Sequence, residues 1–421
     1  MSNGRTETVP LFEKTTLPDG VRVITESIPS VRSIAVGVWI HTGSRDEQPE
    51  EAGMSHFIEH MVFKGTAKRR MHHIAQRLES VGGYLNAFTT KEYTCYFARI
   101  LDEHLERAID TVMDLVLAPN FPAKELEKEK DVVLEEMKMY EDAPEDLIFD
   151  RFEQVVYEEH ALGRPIIGTR ESVSAFTRDQ LVDFMDRHYT PDKMVLAIAG
   201  NVDHAEAVRY AKKMLDRTSR DARHRDREPI NGYTPSVHIE NRPIQQAHLV
   251  LGRRGMAVSD GRRSVLSVLN TLLGGGMSSR LNQNIRERYG FCYSIYSFTN
   301  LHSDTGDFGV YMGTDASRVA RSKKLIFREL EKLTEKPISR RALNQAKNQV
   351  KGSIMLGLEN MSNRMMRLGR QELYFGGYFT LDEIIRQVDA VTEEDILSVS
   401  RELFDAETFS TVILLPQQDP A

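Results

Sequence analysis

The chain repeats one order of structural elements in its two halves, and this duplication limits the possible folds most strongly. The segment from Thr177 through Tyr189, which begins TRDQL, has a counterpart from Thr392 through Phe404, which begins TEEDI. Each segment is followed by a short break and an apolar run typical of a buried strand. The two segments lie about half a chain length apart. Solenoid repeats are about 20 to 50 residues long, so this spacing indicates two duplicated domains.

A second pair of segments supports the same division. Residues 92–115 and 304–330 share a pattern of two strands followed by an amphipathic helix. A chain of 421 residues also exceeds the length that one hydrophobic core usually covers. We therefore predict an α+β fold with two homologous domains, 1–216 and 233–421, joined by the polar linker 217–232. In each domain we expect a largely antiparallel sheet with helices packed on one face.

Local patterns predict individual elements of the first half. A turn at Pro18-Asp19-Gly20 between two apolar runs predicts a β-hairpin. Hydrophobic periodicity predicts a strand at Ile34–Ile40 and helices at Gly53–Phe63, Leu101–Leu117 and Ala123–Tyr140.

Composition limits the possible binding partners and the cellular compartment of the protein. The net charge of −7 argues against a nucleic-acid partner, because domains that bind phosphate backbones normally carry a basic surface. No apolar run approaches the roughly 20 residues needed to cross a bilayer, so we expect no membrane association. Cys95 and Cys292 are the only cysteines and stand far apart. This usage favours a reducing compartment, and we predict a cytoplasmic protein.

A pair of histidines on the predicted helix Gly53–Phe63 forms a possible metal site. His56 and His60 stand four residues apart, which on a helix places both imidazoles on one face, about 5 to 6 Å apart at Cβ. Zinc accepts imidazole ligands in such an arrangement. Glu59, one residue before His60, can lean over the metal without binding it. Such a pair also occurs by chance on ordinary helices, so the spacing alone leaves both interpretations open.

A catalytic zinc ion needs a third protein ligand, and the helix predicted at Ala123–Tyr140 offers candidates. Glu129 and Glu136 are seven residues apart and therefore share a helix face. Apolar neighbours, including Val133 and Met137, indicate that this face is partly buried. A buried carboxylate is costly unless it is paired, and a metal ion would provide that pairing.

Five stretches of the chain carry a resemblance to a known family: Gly53–Thr66, Gly82–Thr89, Glu129–Tyr140, Gly163–Gly168 and Leu273–Leu281. Together they resemble the pitrilysin and insulysin family of zinc peptidases, whose inverted HxxEH motif is that of His56–His60. The resemblance covers nearly the whole chain. It is nearest to the mitochondrial processing peptidase branch and its bacterial relatives.

The resemblance implies roles around the metal. It gives Zn²⁺ as the cofactor and Glu136 as its third ligand, with the adjacent Glu135 as the competing choice one residue out of register. Glu129 matches the second acidic position of the family, which supports the site from the outer shell. Asn86 and Ala87 match the edge strand on which an extended peptide substrate binds as an additional strand.

Further implied roles fall in the second half. Arg286 and Tyr293 match an arginine and a tyrosine that the opposite half of the family's chamber contributes to catalysis, although Tyr293 as simple core packing is the alternative. The run Gly274, Gly275 and Gly276 matches a flexible loop near the substrate entrance. Because the chain holds two of the four domains that close such a chamber, we expect a homodimer.

The sequence thus predicts a zinc metalloendopeptidase that cleaves extended, unfolded peptides in a closed chamber, with Glu59 as the general base. The alternative is a catalytically idle assembly or scaffold subunit of a larger complex. Relatives of that kind lose metal ligands, whereas His56, Glu59, His60 and Glu136 are all present here. A second alternative is an active subunit that needs a different, inactive partner chain.

Overall fold

A computed structural model describes residues 12–215 and 227–417. The strands and α-helices of the first half are β1 (Phe12–Thr16), β2 (Arg22–Ser27), β3 (Ser33–Ile40), α1 (Met54–Val62), α2 (Met71–Glu79), β4 (Tyr84–Thr89), β5 (Thr94–Leu101), α3 (Leu105–Leu117), α4 (Ala123–Glu141), α5 (Pro144–Tyr157), α6 (Arg170–Ala175), α7 (Arg178–His188), β6 (Met194–Gly200) and α8 (His204–Leu215).

The second half contains β7 (Val237–Arg242), β8 (Ala247–Gly255), α9 (Arg263–Gly274), β9 (Cys292–Leu301), β10 (Gly306–Thr314), α10 (Val319–Glu335), α11 (Arg340–Gly357), α12 (Met361–Phe375), α13 (Leu381–Asp389), α14 (Glu393–Leu403) and β11 (Ser410–Pro416). A π-helical segment, Asn282–Glu287, precedes β9.

The described residues form two compact units. The first contains residues 12–135, 165–215 with Arg227, and 357–378, and the second contains 136–164, 228–356 and 379–417. The boundary after Glu135 falls inside the continuous helix α4. Much of the predicted linker 217–232 lies outside the described residues, so the division at that linker stays a prediction.

The first unit is built on a six-stranded sheet with the order β1-β2-β6-β3-β5-β4. Its pairs are antiparallel except for β2 with β6, which run parallel. Buried side chains of α12, among them Met365 and Leu368, pack with Trp39 and Ala35 of β3. The alternate residues of β3 are buried too, and α3 contacts both β3 and β5. Both faces of the sheet are therefore covered.

The second unit is built on a five-stranded sheet with the order β7-β11-β8-β10-β9. Only β7 and β11 run parallel. Its larger core joins the sheet to α9, α10 and α14 through residues such as Leu269, Leu330 and Ile396. The opposite face packs on α5, where Phe152 meets Val250 and Val412 in a second buried cluster.

The strand orders confirm the predicted α+β class with duplicated architecture. The order β2-β6-β3-β5-β4 of the first sheet has its counterpart, strand for strand, in β7-β11-β8-β10-β9 of the second. Before β6 and β11, the helices α7 and α14 both begin at a capping threonine, Thr177 or Thr392. The prediction that helices pack on one face of each sheet is wrong, because the opposite face carries a helix from the other half of the sequence, α12 in the first unit and α5 in the second.

The predicted local elements are confirmed with two corrections. Residues 92–115 and 304–330 each contain one strand before the helix, β5 or β10, and not the predicted two. The hairpin β1–β2 turns at Gly20, which has a φ of +102°, and β3, α1 and α4 lie where predicted. The helix predicted from Leu101 begins at Leu105 instead, because Leu101 pairs with Ser33 as the last residue of β5. No helix within residues 12–215 and 227–417 is long and apolar enough to cross a membrane.

Candidate metal centre

The helix α1, which carries both histidines of the HxxEH motif, is anchored at its first turn by a buried carboxylate. Glu47 accepts hydrogen bonds from the backbone N–H of Gly53 at 2.8 Å and of Ser55 at 2.7 Å. A negative charge at a helix N-terminus is favourable because the first N–H groups have no partner within the helix. Gly53 has a φ of +90°, and a Cβ there would lie 2.6 Å from the carbonyl oxygen of Ile167. Glycine is therefore required at this position.

The two histidines share the face of α1 opposite its buried side. Phe57, Ile58 and Met61 are fully buried and fix the rotation of the helix about its axis. His56 and His60 are half-buried, and their ring centroids are 4.6 Å apart. Burial, with a smaller contribution from His60, lowers the pKa of His56 to about 3. The His56 imidazole is therefore neutral at pH 7 and keeps a lone pair for a metal.

The third member of the cluster is Glu136 on α4. One ligand atom from each of His56, His60 and Glu136 lies within 4.8 Å of the other two. The neighbouring Glu135 is exposed, while Glu136 is half-buried. The geometry therefore favours Glu136 over Glu135, the competing choice from the sequence.

Glu129, two helical turns before Glu136, orients one of the imidazoles. Its Oε1 lies 2.9 Å from Nδ1 of His60, and its Oε2 lies 2.6 Å from Nζ of Lys64. Because a carboxylate only accepts hydrogen bonds, Nδ1 carries the proton and Nε2 keeps its lone pair. Burial alone would raise the pKa of Glu129, but the hydrogen bonds and charges of His60 and Lys64 leave that pKa lowered. Glu129 is therefore ionised at pH 7.

These donors fit a zinc ion. Two imidazole nitrogens and one carboxylate oxygen form a ligand set that catalytic zinc sites use, with a fourth position left for water or substrate. The lowered pKa of His56 and the orientation of His60 both leave ring nitrogens ready to bind a cation. Lys64 was not identified from the sequence. Its place four residues after His60 is the only signal for its role.

Glu59 lies half-buried on α1, directly before His60, and a residue of β4 contacts its carboxylate. The hydroxyl of Thr89, the last residue of β4, donates a hydrogen bond to Oε2 of Glu59 at 2.6 Å. Thr89 closes one of the matching stretches, but its contact with Glu59 was not predicted from the sequence. The contacts of Glu47 were not predicted either, because neither residue's partner follows from a local spacing.

Asn86 and Ala87 lie on β4, which forms an edge of the first sheet and pairs only with β5 among the described strands. Asn86 is exposed, and its Oδ1 accepts a hydrogen bond from the backbone N–H of Ala87 at 2.9 Å. Its Nδ2 donates to the hydroxyl of Tyr84 at 2.6 Å. An edge strand of this kind can pair with an extended peptide.

The remaining predicted site residues lie in the second unit. Arg286 belongs to the π-helical segment and Tyr293 to the edge strand β9. The guanidinium carbon of Arg286 stands 5.6 Å from the centre of the Tyr293 ring. Tyr293 is 82% exposed, so the alternative of core packing is wrong for it. Its part in catalysis stays a prediction.

The glycine run Gly274–Gly276 ends α9 and packs closely. A Cβ at Gly274 would lie 2.2 Å from the backbone nitrogen of Ser297. A Cβ at Gly275 would lie 2.6 Å from Cα of Thr271. This close packing explains why glycine stands at the first two positions, and a contact with substrate stays a prediction.

Comparisons with known proteins identify the family of this chain. Residues 22–170 match the family described as Insulinase (Peptidase family M16), and residues 175–350 match Peptidase M16 inactive domain. A protein of Bacillus subtilis, "Uncharacterized zinc protease YmxG", is 41% identical over 406 residues, which is 96% of this chain and 98% of that protein. This chain belongs to peptidase family M16. An uncharacterized zinc protease of Mycobacterium leprae is 44% identical over 93% of this M16 chain and 89% of its own length.

Solved structures of similar proteins support the fold of this M16 protein. A protease from Helicobacter pylori has a TM-score of 0.90 at 22% identity, covering 97% of this chain and 100% of that one. A structure titled peptidase M16 inactive domain, from Pseudomonas fluorescens, has a TM-score of 0.89 at 21% identity, with 97% and 98% covered. At such identities the likeness concerns the fold alone.

Proposed function

We propose that this M16 protein is a zinc-dependent endopeptidase. The observation that carries the proposal is the cluster of His56, His60 and Glu136, whose ligand atoms lie within 4.8 Å of one another, with Glu59 on the same helix as the histidines. The names of the relatives, which call them zinc proteases, support it. That this chain has the zinc protease activity given in those names is part of the proposal.

The three ligands would hold the zinc ion, and the chain's own groups would orient them. Zinc bound there supplies a Lewis acid, which makes water a nucleophile near neutral pH. Glu129 keeps His60 in the tautomer whose Nε2 can bind the metal. Glu59 takes a proton from the attacking water and then gives it to the leaving amine, as a positioned carboxylate can.

The substrate of this proposal is an extended peptide bound along β4. Main-chain hydrogen bonds at a sheet edge require little of the peptide sequence, so we expect cleavage of unfolded segments with modest selectivity. The contact between Asn86 Oδ1 and the N–H of Ala87 occupies a donor that an incoming strand would use. Binding would therefore require the Asn86 side chain to turn away.

The second unit supplies further parts of the proposed mechanism. Arg286 and Tyr293 can donate hydrogen bonds to a developing oxyanion, and the exposure of Tyr293 leaves its hydroxyl accessible. We also propose that two copies of the chain form a homodimer with a closed chamber. In that dimer Arg286 and Tyr293 of one copy would serve the metal site of the other.

The second candidate is a catalytically idle scaffold subunit. Its support is the description of the family that matches residues 175–350 as an inactive domain. The second sheet matches five strands of the first, and α9 follows β8 as α1 follows the matching strand β3. The sequence of α9, RSVLSVLNTLLG, contains no histidine or carboxylate. The metal cluster lies outside residues 175–350, which favours the peptidase.

The substitution Glu59→Gln tests the proposal because it keeps the size of the side chain and all three ligands. We expect the wild type to cleave a mixed pool of quenched peptides, and the variant to be at least about 100-fold slower, the usual effect of a lost general base. Zinc measured in the purified proteins should be equal in both. Equal cleavage rates would refute the role of Glu59. Zinc binding without any cleavage by the wild type would favour the scaffold subunit or the subunit that needs a partner chain.

A further inference from the structure

The contact between Thr89 and Glu59 joins two parts of the proposed site that are distant in sequence. Thr89 is half-buried at the end of β4, the edge strand, and its hydroxyl donates to Oε2 of Glu59 at 2.6 Å. A hydrogen bond to an ionised carboxylate is shorter and about twice as strong as one between neutral groups. This contact can therefore fix the position of the carboxylate.

The position of Thr89 is itself well determined. Thr89 pairs with Thr94 of β5, which is fully buried and whose hydroxyl donates to the carbonyl oxygen of Thr42 at 3.0 Å. Ala87, on the same strand, is two residues before Thr89. A peptide that pairs with β4 at Ala87 would therefore lie along the strand whose last side chain holds Glu59.

We propose that Thr89 is a positioning residue that fixes the Glu59 carboxylate relative to β4, the proposed peptide-binding strand. The base would then keep a constant position relative to a peptide bound on that strand. This role rests on the proposed peptidase function and extends it to a residue that is neither one of the three proposed ligands nor the proposed base. A glutamate side chain has three rotatable bonds, and a general base works only within hydrogen-bond reach of the proton it takes. Thr89 reduces the freedom of Glu59 before the substrate arrives.

A purely structural role for Thr89 makes different predictions. If the hydroxyl only satisfied a half-buried carboxylate, its removal would lower stability and leave the turnover of the folded fraction unchanged. If the hydroxyl positions the base, its removal lowers kcat while KM, zinc content and the unfolding temperature stay close to those of the wild type. The kcat and KM of folded protein therefore distinguish the two roles.

The experiment compares Thr89→Val, Thr89→Ala and Thr89→Ser with the wild type on one quenched peptide. Valine keeps the shape and loses the hydroxyl, alanine loses both the hydroxyl and the packing, and serine keeps the hydroxyl. We expect kcat to fall about 10- to 100-fold in both variants that lack the hydroxyl, the range that misplacement of a catalytic group can cause. KM should stay within about twofold, and the serine variant should keep kcat within about threefold of the wild type.

Several results would overturn the role of Thr89. They are a wild-type kcat in Thr89→Val, a loss in Thr89→Ser as large as in Thr89→Val, or a kcat that follows the unfolding temperatures of the variants and not the presence of the hydroxyl. Should the valine variant fold poorly, the alanine and serine pair gives the same comparison. A wild type that binds zinc and cleaves nothing would instead refute the proposed peptidase function of this chain by itself, and this result is seen before any variant is measured.

Discussion

At the scale of single residues, the metal cluster depends on a helix that the surrounding chain anchors tightly. Glu47 satisfies the N–H groups of Gly53 and Ser55. Gly168 lies against the same turn, because a Cβ there would be 2.3 Å from the carbonyl oxygen of Ala52. Two stretches that resemble the family, Gly53–Thr66 and Gly163–Gly168, therefore meet through their glycines. The close packing of backbone on backbone explains why glycine stands at both Gly53 and Gly168.

We expect Gly53→Ala to destabilise the protein more than Gly82→Ala does. Both glycines have a positive φ, +90° and +74°, but a Cβ at Gly82 would meet no atom within 4 Å, whereas one at Gly53 meets Ile167 and Gly168. The free energy of unfolding of the control, Gly82→Ala, should fall by about 1 to 2 kcal/mol from the backbone conformation alone. That of Gly53→Ala should fall by at least about 1 kcal/mol more. Urea unfolding at pH 7 measures both, and equal losses would contradict the role given to the contact.

At the scale of elements, close approaches and buried polar contacts fix the helices on the first sheet. A Cβ at Gly369 of α12 would lie 2.1 Å from the Trp39 ring, and one at Gly37 of β3 would lie 2.4 Å from Sδ of Met365. Missing side chains at these two positions let the helix and the strand approach. At the start of α8, both ring nitrogens of His204 contact threonine hydroxyls, Thr15 at 2.8 Å and Thr25 at 2.9 Å. This histidine links α8 to the first two strands.

The link through His204 predicts a dependence of stability on pH. Burial lowers the pKa of His204 below its ordinary value of 6.5, so the unfolded chain binds a proton more readily than the folded protein. As the pH falls through 6.5, the free energy of unfolding therefore decreases. We expect His204→Gln to lose less stability than the wild type between pH 7 and pH 5, measured by urea unfolding. The same loss in both proteins would show that another group causes the dependence.

At the scale of the whole molecule, the chain carries one duplicated fold and a metal motif in only one copy of it. The second half keeps the strand order and contributes the exposed pair of Arg286 and Tyr293. The fold does not depend on metal ligands, because the second half forms the matching strand order although α9 carries no histidine or carboxylate. The proposed homodimer would combine the two kinds of half from different copies.

A mixing experiment tests this arrangement. Glu59→Gln and Tyr293→Phe should each be weakly active alone. If Tyr293 acts on the metal site of the other copy, a dimer of the two variants has one intact site of its two. When the subunits of an equal mixture exchange freely, half of the dimers are of this mixed kind, so activity should reach about a quarter of the wild-type value. If both residues act within one chain, no mixed dimer has an intact site, and mixing should restore nothing. Size-exclusion chromatography showing only a monomer that cleaves peptides would also contradict the dimer.

The sequence by itself determined the features that depend on local spacing. The four-residue interval between His56 and His60 places both rings on one face of a helix, and the repeat around Thr177 and Thr392 predicted two domains of one architecture. Periodicity is a property of neighbouring residues, so it requires no knowledge of what packs against them. It was wrong at Leu101, which continues the apolar pattern of α3 but pairs in β5. It was also wrong in residues 92–115 and 304–330, where it predicted two strands and each range has one.

Only the tertiary structure decided which distant groups meet. Glu135 and Glu136 are adjacent and chemically alike, and the direction in which each side chain leaves α4 brings Glu136 to the histidines. The pairing of Thr89 with Glu59, the capping of α1 by Glu47 and the packing of α5 and α12 on sheets of the opposite sequence half also join remote segments. Such contacts follow from the packing of whole elements, because a side chain's partner is set by three-dimensional distance and not by its place in the sequence.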